Sequence, residues 1–442
     1  MARRGDLAQP ILAGVVSAVV GYASSFTVVL AGLRAVGATP TQAASGLLAL
    51  CLGIAALAIG LGLRHRMPIS IAWSTPGAAL LVATGPVPGG FPAAVGAFLV
   101  CAALFVLAGL SPWLARAIAA IPRPIAGAML GGVLLSLCTA PVRAIVDVPL
   151  LAVPVVLTWA VLTRYARRWA VPGALLAAIV GIAVHGLDAP LSAGSLRPTV
   201  DLTLPVFDAT ALVSIAVPLF LVTMAAQNVP GMAVMSTYGY TPPLRTVLVA
   251  TGLASAVAAP FGGHALNLAA ITAALTAGPE THPDPRRRWV ATVALGAGQL
   301  ALGLGAGLAT ALVLLSPPVL VIAVAGLALL PALGSALASA VEDPAGREAA
   351  VVTFVVTASG TTILGIGSAF WGLVAGALTA LLLRRRTAPT AAPPPQQIPR
   401  PAAEPGGPAA EPGAGTEPDA GRPAGSPYGR VGGKLLDAEH PQ

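Results

Sequence analysis

His264 sits beside a break of proline and glycine, Pro260-Phe261-Gly262-Gly263-His264, in the middle of a long apolar run. An imidazole titrates near neutrality and is costly to hold charged in an apolar medium. A histidine there is therefore a proton-binding candidate, or else a neutral side chain hydrogen-bonded to a neighbouring helix. Asn267 follows three residues later, and on a helix the two would share a face. Gln227 and Asn228, just before Pro230-Gly231, put two amides into another apolar stretch. They can orient a polar ligand or bond between helices, the latter worth roughly 0.6 kcal/mol. Gly21 to Thr27 adds hydroxyls, Ser25 among them, and the ring of Phe26. Phe26, Trp73 and Phe261 can hold an apolar ligand body or simply pack helices. None of the sixteen carboxylates falls well inside an apolar run, which argues against an acidic proton relay or a sodium cage. There is no His-Glu-x-x-His and no Gly-x-Ser-x-Gly, so neither a metal site nor a hydrolase is expected. Cys51, Cys101 and Cys138 lie in apolar runs without CxxC spacing and read as core thiols.

Two interrupted segments must position these groups. Pro68-Ile-Ser-Ile-Ala-Trp73-Ser74-Thr75-Pro76-Gly77 sets prolines around a β-branched and aromatic stretch, then offers Ser74 or Thr75 as an N-cap with proline just inside a helix. In the second segment Pro260 and two glycines stop one element before a short helix expected over Ala265 to Ala277. Irregular backbone at membrane depth is tolerated only where protein or a watery cavity satisfies it. A matched pair of such breaks points to a transporter binding site. The N–H groups near Thr75 to Gly77 and Gly263 to Ala265 would then face one ligand, and helix N-termini favour an anion.

The setting is a lipid one. Hydrophobic residues make up 56% of the chain and charged residues 9%, with a mean hydropathy of +0.85. A water-soluble domain of this length would expose too much of that surface. Fourteen apolar segments are expected, at 10–33, 41–63, 70–84, 92–109, 124–140, 150–163, 171–187, 209–230, 245–258, 263–277, 289–309, 318–340, 349–364 and 367–383. With the N-terminus inside, arginines crowd the inside segments, from Arg3 and Arg4 to Arg384, Arg385 and Arg386. Outside, only Arg34, Arg143 and Arg197 remain. This positive-inside bias puts both termini in the cytoplasm. The net charge of +8 reflects those loops and not a nucleic-acid surface. Leu187 to Asp208 reads as an external linker between halves of seven segments each. An odd number of crossings inverts the second half, as in an inverted repeat. Residues 1–386 form the transporter domain, and the Pro/Ala/Gly-rich stretch 387–442 is expected to be a disordered cytoplasmic tail.

The stretches Pro218–Gly231, Ala259–Ala274 and Gly278-Pro-Glu-Thr-His-Pro-Asp284 resemble the benzoate/proton symporter family (BenE type), and the overall layout resembles it from about 8 to 385. The resemblance implies an all-α, polytopic inner-membrane permease related in fold to the nucleobase permeases. Its third and tenth segments would be short strand-plus-half-helix elements at the midplane. Gln227, and His264 or Asn267, fall near positions where nucleobase permeases often carry acidic residues; uncharged side chains there would suit an anion. The expected core bundle is segments 1–4 and 8–11, moving against a gate bundle of 5–7 and 12–14.

The expected cargo is benzoate or a similar aromatic carboxylate, imported with a proton by alternating access. Its contacts would come from Ser25, Phe26, Trp73, Ser74, Thr75, Gly77, Gln227, Asn228, Phe261, Gly263, His264 and Asn267, and His264 would also be the protonation site. Proton coupling through carriage of the neutral acid stays open. So does a transporter or passive facilitator of another small anion or a nucleobase. The other expected partners are the lipid bilayer and a second copy in a homodimer, with no cofactor, metal or nucleic acid.

Overall fold

In the computed structural model of the chain, residues 7–111, 122–185, 197–314 and 316–383 are described. The C-terminal stretch 387–442, the N-terminal arginines and Arg116 lie outside them. The first apolar run breaks into α1 (Ala8–Ala23) and α2 (Phe26–Ala35). Ser24 and Ser25 cause the break: both hydroxyls donate to the Gly21 carbonyl at 3.0 Å and compete with the helical ladder. α3 (Pro40–His65) starts at a capping box of Thr39 and Gln42. Strand β1 (Ile71–Trp73) then runs into α4 (Thr75–Thr84), followed by α5 (Gly90–Leu110). Next come α6 (Arg123–Cys138), α7 (Ala140–Asp147), α8 (Pro149–Tyr165) and α9 (Ala170–His185).

α10 (Ala209–Thr237) is longer than the expected segment and contains two π-helical turns, Leu212–Ala216 and Met224–Asn228. Each lies just ahead of a proline, Pro218 or Pro230. Widening the helix there relieves the clash between the proline ring and the carbonyl four residues back. α11 (Leu244–Ala258) leads through a 3₁₀ turn to β2 (Leu266–Leu268) and α12 (Ile271–Ala277). α13 (Trp289–Leu304) and α14 (Ala306–Leu314) meet at Gly305 in a 57° bend. The chain closes with α15 (Pro318–Val341), α16 (Arg347–Ala358) and α17 (Ser368–Leu383). Among the described residues, eight helices are long and apolar enough to cross a membrane, or nine if the bent pair counts as one span.

Backbone proximity holds these helices together, as expected where lipid offers no hydrophobic drive between them. Gly14 lies against the Ala291 carbonyl (α1 on α13), Gly32 against Ala78 (α2 on α4) and Gly326 against Leu137 (α15 on α6). Gly372 and Gly376 of α17 receive Thr357 and Thr353 of α16. α3 packs on α13, α5 on α11, α8 on α9 and α6 on α16. The described part of the linker runs extended across one end of the bundle. Asp201 exchanges bonds with Ser45 Oγ, while Thr203 N donates to the Pro260 carbonyl and Val206 N to that of Pro92.

Candidate functional site

The two interrupted segments meet as a two-stranded antiparallel ribbon, with Ile71 opposite Leu268, Ala72 opposite Asn267 and Trp73 opposite Leu266. Ser74 N donates to the Ala265 carbonyl and Ala269 N to that of Ser70, both at 2.9 Å, so the pairing extends beyond the strands. The outer edge of β2 has no third strand, and side chains take its place. Leu266 N donates to Ser255 Oγ of α11 at 2.9 Å, and Leu268 N to Asn228 Oδ1 of α10 at 3.0 Å. Every such N–H must be satisfied at this depth, and here a serine and an asparagine do it.

The ribbon corrects the expectation for the second segment. Ala265 does not begin a helix; the chain stays extended through Leu268, and α12 starts at Ile271. His264 and Asn267 therefore do not share a helical face. They stand on extended backbone, where positions three apart point to opposite sides. The N–H groups of Gly263 to Ala265 are likewise not a helix N-terminus. Gly263 N donates to Ala258 at the end of α11, and the fold turns at Gly262, whose φ is +92°. The physical reason is non-local: a run rich in alanine and leucine becomes a strand because β1 offers it a partner.

The first segment caps as its local chemistry implies. Ser74 is the N-cap, its Oγ accepting from Gly77 N at 3.0 Å, with Pro76 in the first turn. The same hydroxyl lies 2.7 Å from Thr223 Oγ1 of α10, and Leu219 of α10 closes over Gly77. Trp73 Nε1 donates to Ser25 Oγ at 2.9 Å, and Tyr22 stacks on Phe26 with its edge toward Trp73. The break in the first helix is thus tied to β1, and the second π turn of α10 is tied to β2. Ser70 and Thr276 hydroxyls meet at 2.7 Å and hold the approach to β1 against α12.

Each of the remaining candidates has a definite place. Asn267 is fully buried: its amide nitrogen donates to the Leu268 carbonyl, and its Oδ1 has no partner. Thr272, in the first turn of α12 beside Gly21, also has an unpartnered hydroxyl. Gln227 is half-buried, while Asn228 is fully buried and spends its oxygen on the ribbon edge. His264 is fully buried, one register position beyond Ser74, edge-on to Phe98 of α5, and its ring nitrogens make no well-formed hydrogen bond, the Ser74 backbone being the polar group within reach. Phe261 is half-buried, with its carbonyl accepting from Ser45 Oγ. None of the described carboxylates lies on α1, α2, β1, α4, β2 or α12. Among the described residues no His/Cys/Asp/Glu group could hold a metal. Behind Phe26 and Thr27 lies a cavity of about 40 Å³, walled by Ile179 and Ile182 of α9 and Leu320 and Val324 of α15. It has room for water and not for an aromatic ring.

Sequence reasoning passed over Thr223 and Thr272. Thr223 had a readable signal, one helical turn before Gln227; Thr272 is visible only through the packing of α1 on α12.

The sequence profile described as "Benzoate membrane transport protein" (BenE) matches residues 7–382. The chain belongs to this family. The family is one of membrane transport proteins and not of enzymes. Among curated relatives of the family member, the inner membrane protein YdcO of Escherichia coli (strain K12) is 39% identical over 374 residues, covering 84% of this chain and 95% of that one. A benzoate membrane transport protein of Acinetobacter baylyi is 31% identical over 374 residues, covering 84% and 94%. Among solved structures, the transmembrane domain of a cyanobacterium bicarbonate transporter, BicA, shares the fold at a TM-score of 0.53 and 17% identity, covering 86% of this chain and 98% of that one.

Proposed function

We propose that the protein is a secondary active transporter that imports benzoate or a similar aromatic carboxylate with a proton, by alternating access across the inner membrane. The observation that carries this reading is the ribbon. Two half-helices diverge from it, with unpartnered polar atoms of Asn267 and Thr272 beside it and no carboxylate on its elements to repel an anion. At about 3.3 Å per residue, the five register positions between Ser74 and Ala270 separate the two helix starts by roughly 16 Å. In this proposal a small carboxylate binds beside that span, its charge toward Thr75–Gly77 or Thr272 and its ring near Phe26 and Trp73, once alternating access opens the packed site. Gln227 supplies a free amide, while Asn228 acts through the ribbon it holds. The cargo follows the family and the relative named for benzoate transport; the membrane follows the relative named for the inner membrane.

His264 is the proton site in this proposal. It stands beside the first turn of α4, so an anion bound there and a proton on the imidazole favour each other, and linkage makes that reciprocal. Fourteen segments arranged as a 7+7 inverted repeat are supported by a regularity of packing. α1 packs on α12 and α2 on α4; in the other half, the start of α10 packs on α4 and its end on α12. Exchanging the halves maps each pair onto the other. The same exchange maps α3 on α13 to α11 on α5, and α8 on α9 to α16 on α17. The core and gate bundles follow the same pairs, and the small cavity lies on their seam. The arginine distribution supports a cytoplasmic side for both termini.

Uptake of radiolabelled benzoate into liposomes containing the purified protein, with and without an inward proton gradient, tests the reading. Accumulation driven by the gradient is the expected result. Saturable flux that only equilibrates would establish a passive facilitator, and absence of benzoate flux would overturn the cargo.

A further inference from the structure

The loop from Gly278 to Arg288 carries a motif that the transport reading leaves unused. Arg288 is 6% exposed. Its guanidinium donates to three backbone carbonyls: His282 at 2.8 Å, Ala277 at 2.8 Å and Pro283 at 3.4 Å. Among the described residues no carboxylate pairs with it. Asp284, on the same loop, engages Arg287 at 3.7 Å and the Arg286 amide at 2.9 Å. A buried cation met by carbonyls and the Tyr240 hydroxyl, with no carboxylate on it, is solvated but keeps its net charge, and so a field beyond its contact shell. Ala277 is the last residue of α12, and Thr281 Oγ1 holds the Leu275 carbonyl of the same helix at 2.8 Å. The loop is fixed in turn by Gln9 on the Glu280 carbonyl and by Tyr240 on that of Pro285.

We infer that Arg288 is a positioning residue for anion recognition: it pins the far end of α12 and directs an unpaired positive charge along that helix toward Asn267 and Thr272. α12 is too short to persist alone, so both of its ends must be held. Its seven residues span about 10 Å, which puts the guanidinium roughly 12 Å from an anion beside Thr272. At an effective dielectric of about 20, one charge at that distance is worth close to a factor of ten in affinity for a monoanion. Arg286 and Arg287, on the surface, are screened by water and salt and contribute little.

This inference rests on the carboxylate reading above. The test measures binding of benzoate and of neutral benzamide to the purified full-length protein and to the variants Arg288→Gln and Arg288→Lys. Arg288→Gln is expected to weaken benzoate about tenfold while leaving benzamide within twofold, and Arg288→Lys to recover most of the benzoate affinity. Equal weakening of both ligands, or a Lys variant no better than Gln, would reduce Arg288 to a helix cap and overturn the inference. If Arg288→Gln fails to fold, the Lys variant decides: it keeps the charge with fewer carbonyl bonds, so near-native benzoate affinity upholds the inference and a large loss refutes it. A wild-type protein that binds no benzoate would instead remove the carboxylate reading, and this inference with it.

Discussion

Asn228→Ala removes the acceptor that serves Leu268 N at 3.0 Å and leaves a buried N–H on the open edge of the ribbon. No water reaches that edge, since both residues are fully buried. The cost is that of an unsatisfied buried donor, about 1–3 kcal/mol, and the weak contact of the amide nitrogen with Met224 Sδ at 3.4 Å adds little. The loss falls on the end of β2, three residues before α12 begins, so part of it should appear in binding. If about 1 kcal/mol does, the half-saturating benzoate concentration rises roughly fivefold. Thermal unfolding in detergent and benzoate uptake into liposomes measure the two parts. Asn228→Asp keeps an oxygen that accepts from Leu268 N, but an ionised carboxylate in this dry position carries a desolvation cost, so melting should fall; above the pH at which that carboxyl ionises, its charge near the anion should also cost at least about tenfold in affinity. Native melting and native half-saturation in Asn228→Ala would refute the role of this side chain as the ribbon's missing strand. Benzoate binding as tight in Asn228→Asp, with that carboxyl ionised, as in wild type would refute an anion site beside it.

Ser74→Ala removes the α4 cap, worth about 1 kcal/mol, and strands the buried Thr223 hydroxyl. Melting should fall, and the double variant with Thr223→Val should recover part of the loss. His264→Gln should keep benzoate exchange at equilibrium and lose accumulation driven by a proton gradient, which counterflow and gradient assays in the same liposomes distinguish. Gly326→Ala sets a methyl group against the Leu137 carbonyl where α15 crosses α6. Overpacking against backbone costs about 1–3 kcal/mol, so the purified yield and melting temperature should drop, whereas Gly334→Ala, with open space around it, should not change them.

Much of this protein is legible in its sequence because the relevant physics is local or compositional. Hydropathy and low charge dictate lipid as the solvent. Ser74, Thr75 and Pro76 write a helix start that the structure reproduces, because capping involves neighbours three residues apart. The prolines and glycines at 68–77 and 260–263 mark where helices must stop. What the chain does after stopping is decided elsewhere. Leu266–Leu268 has helical composition and becomes a strand because Ile71–Trp73, nearly two hundred residues earlier, pairs with it. That pairing moves the start of α12 to Ile271 and separates His264 from Asn267. Ser255 and Asn228 acquire their roles only once the ribbon has an edge to satisfy. Arg288 counts among the loop cations in any tally of charge, yet the fold buries it against three carbonyls, because burial is a property of packing that residue type does not encode. The sequence by itself determined the medium and the places where helices break; the tertiary structure alone decided which polar atoms at those breaks are spent on backbone and which are left without a partner.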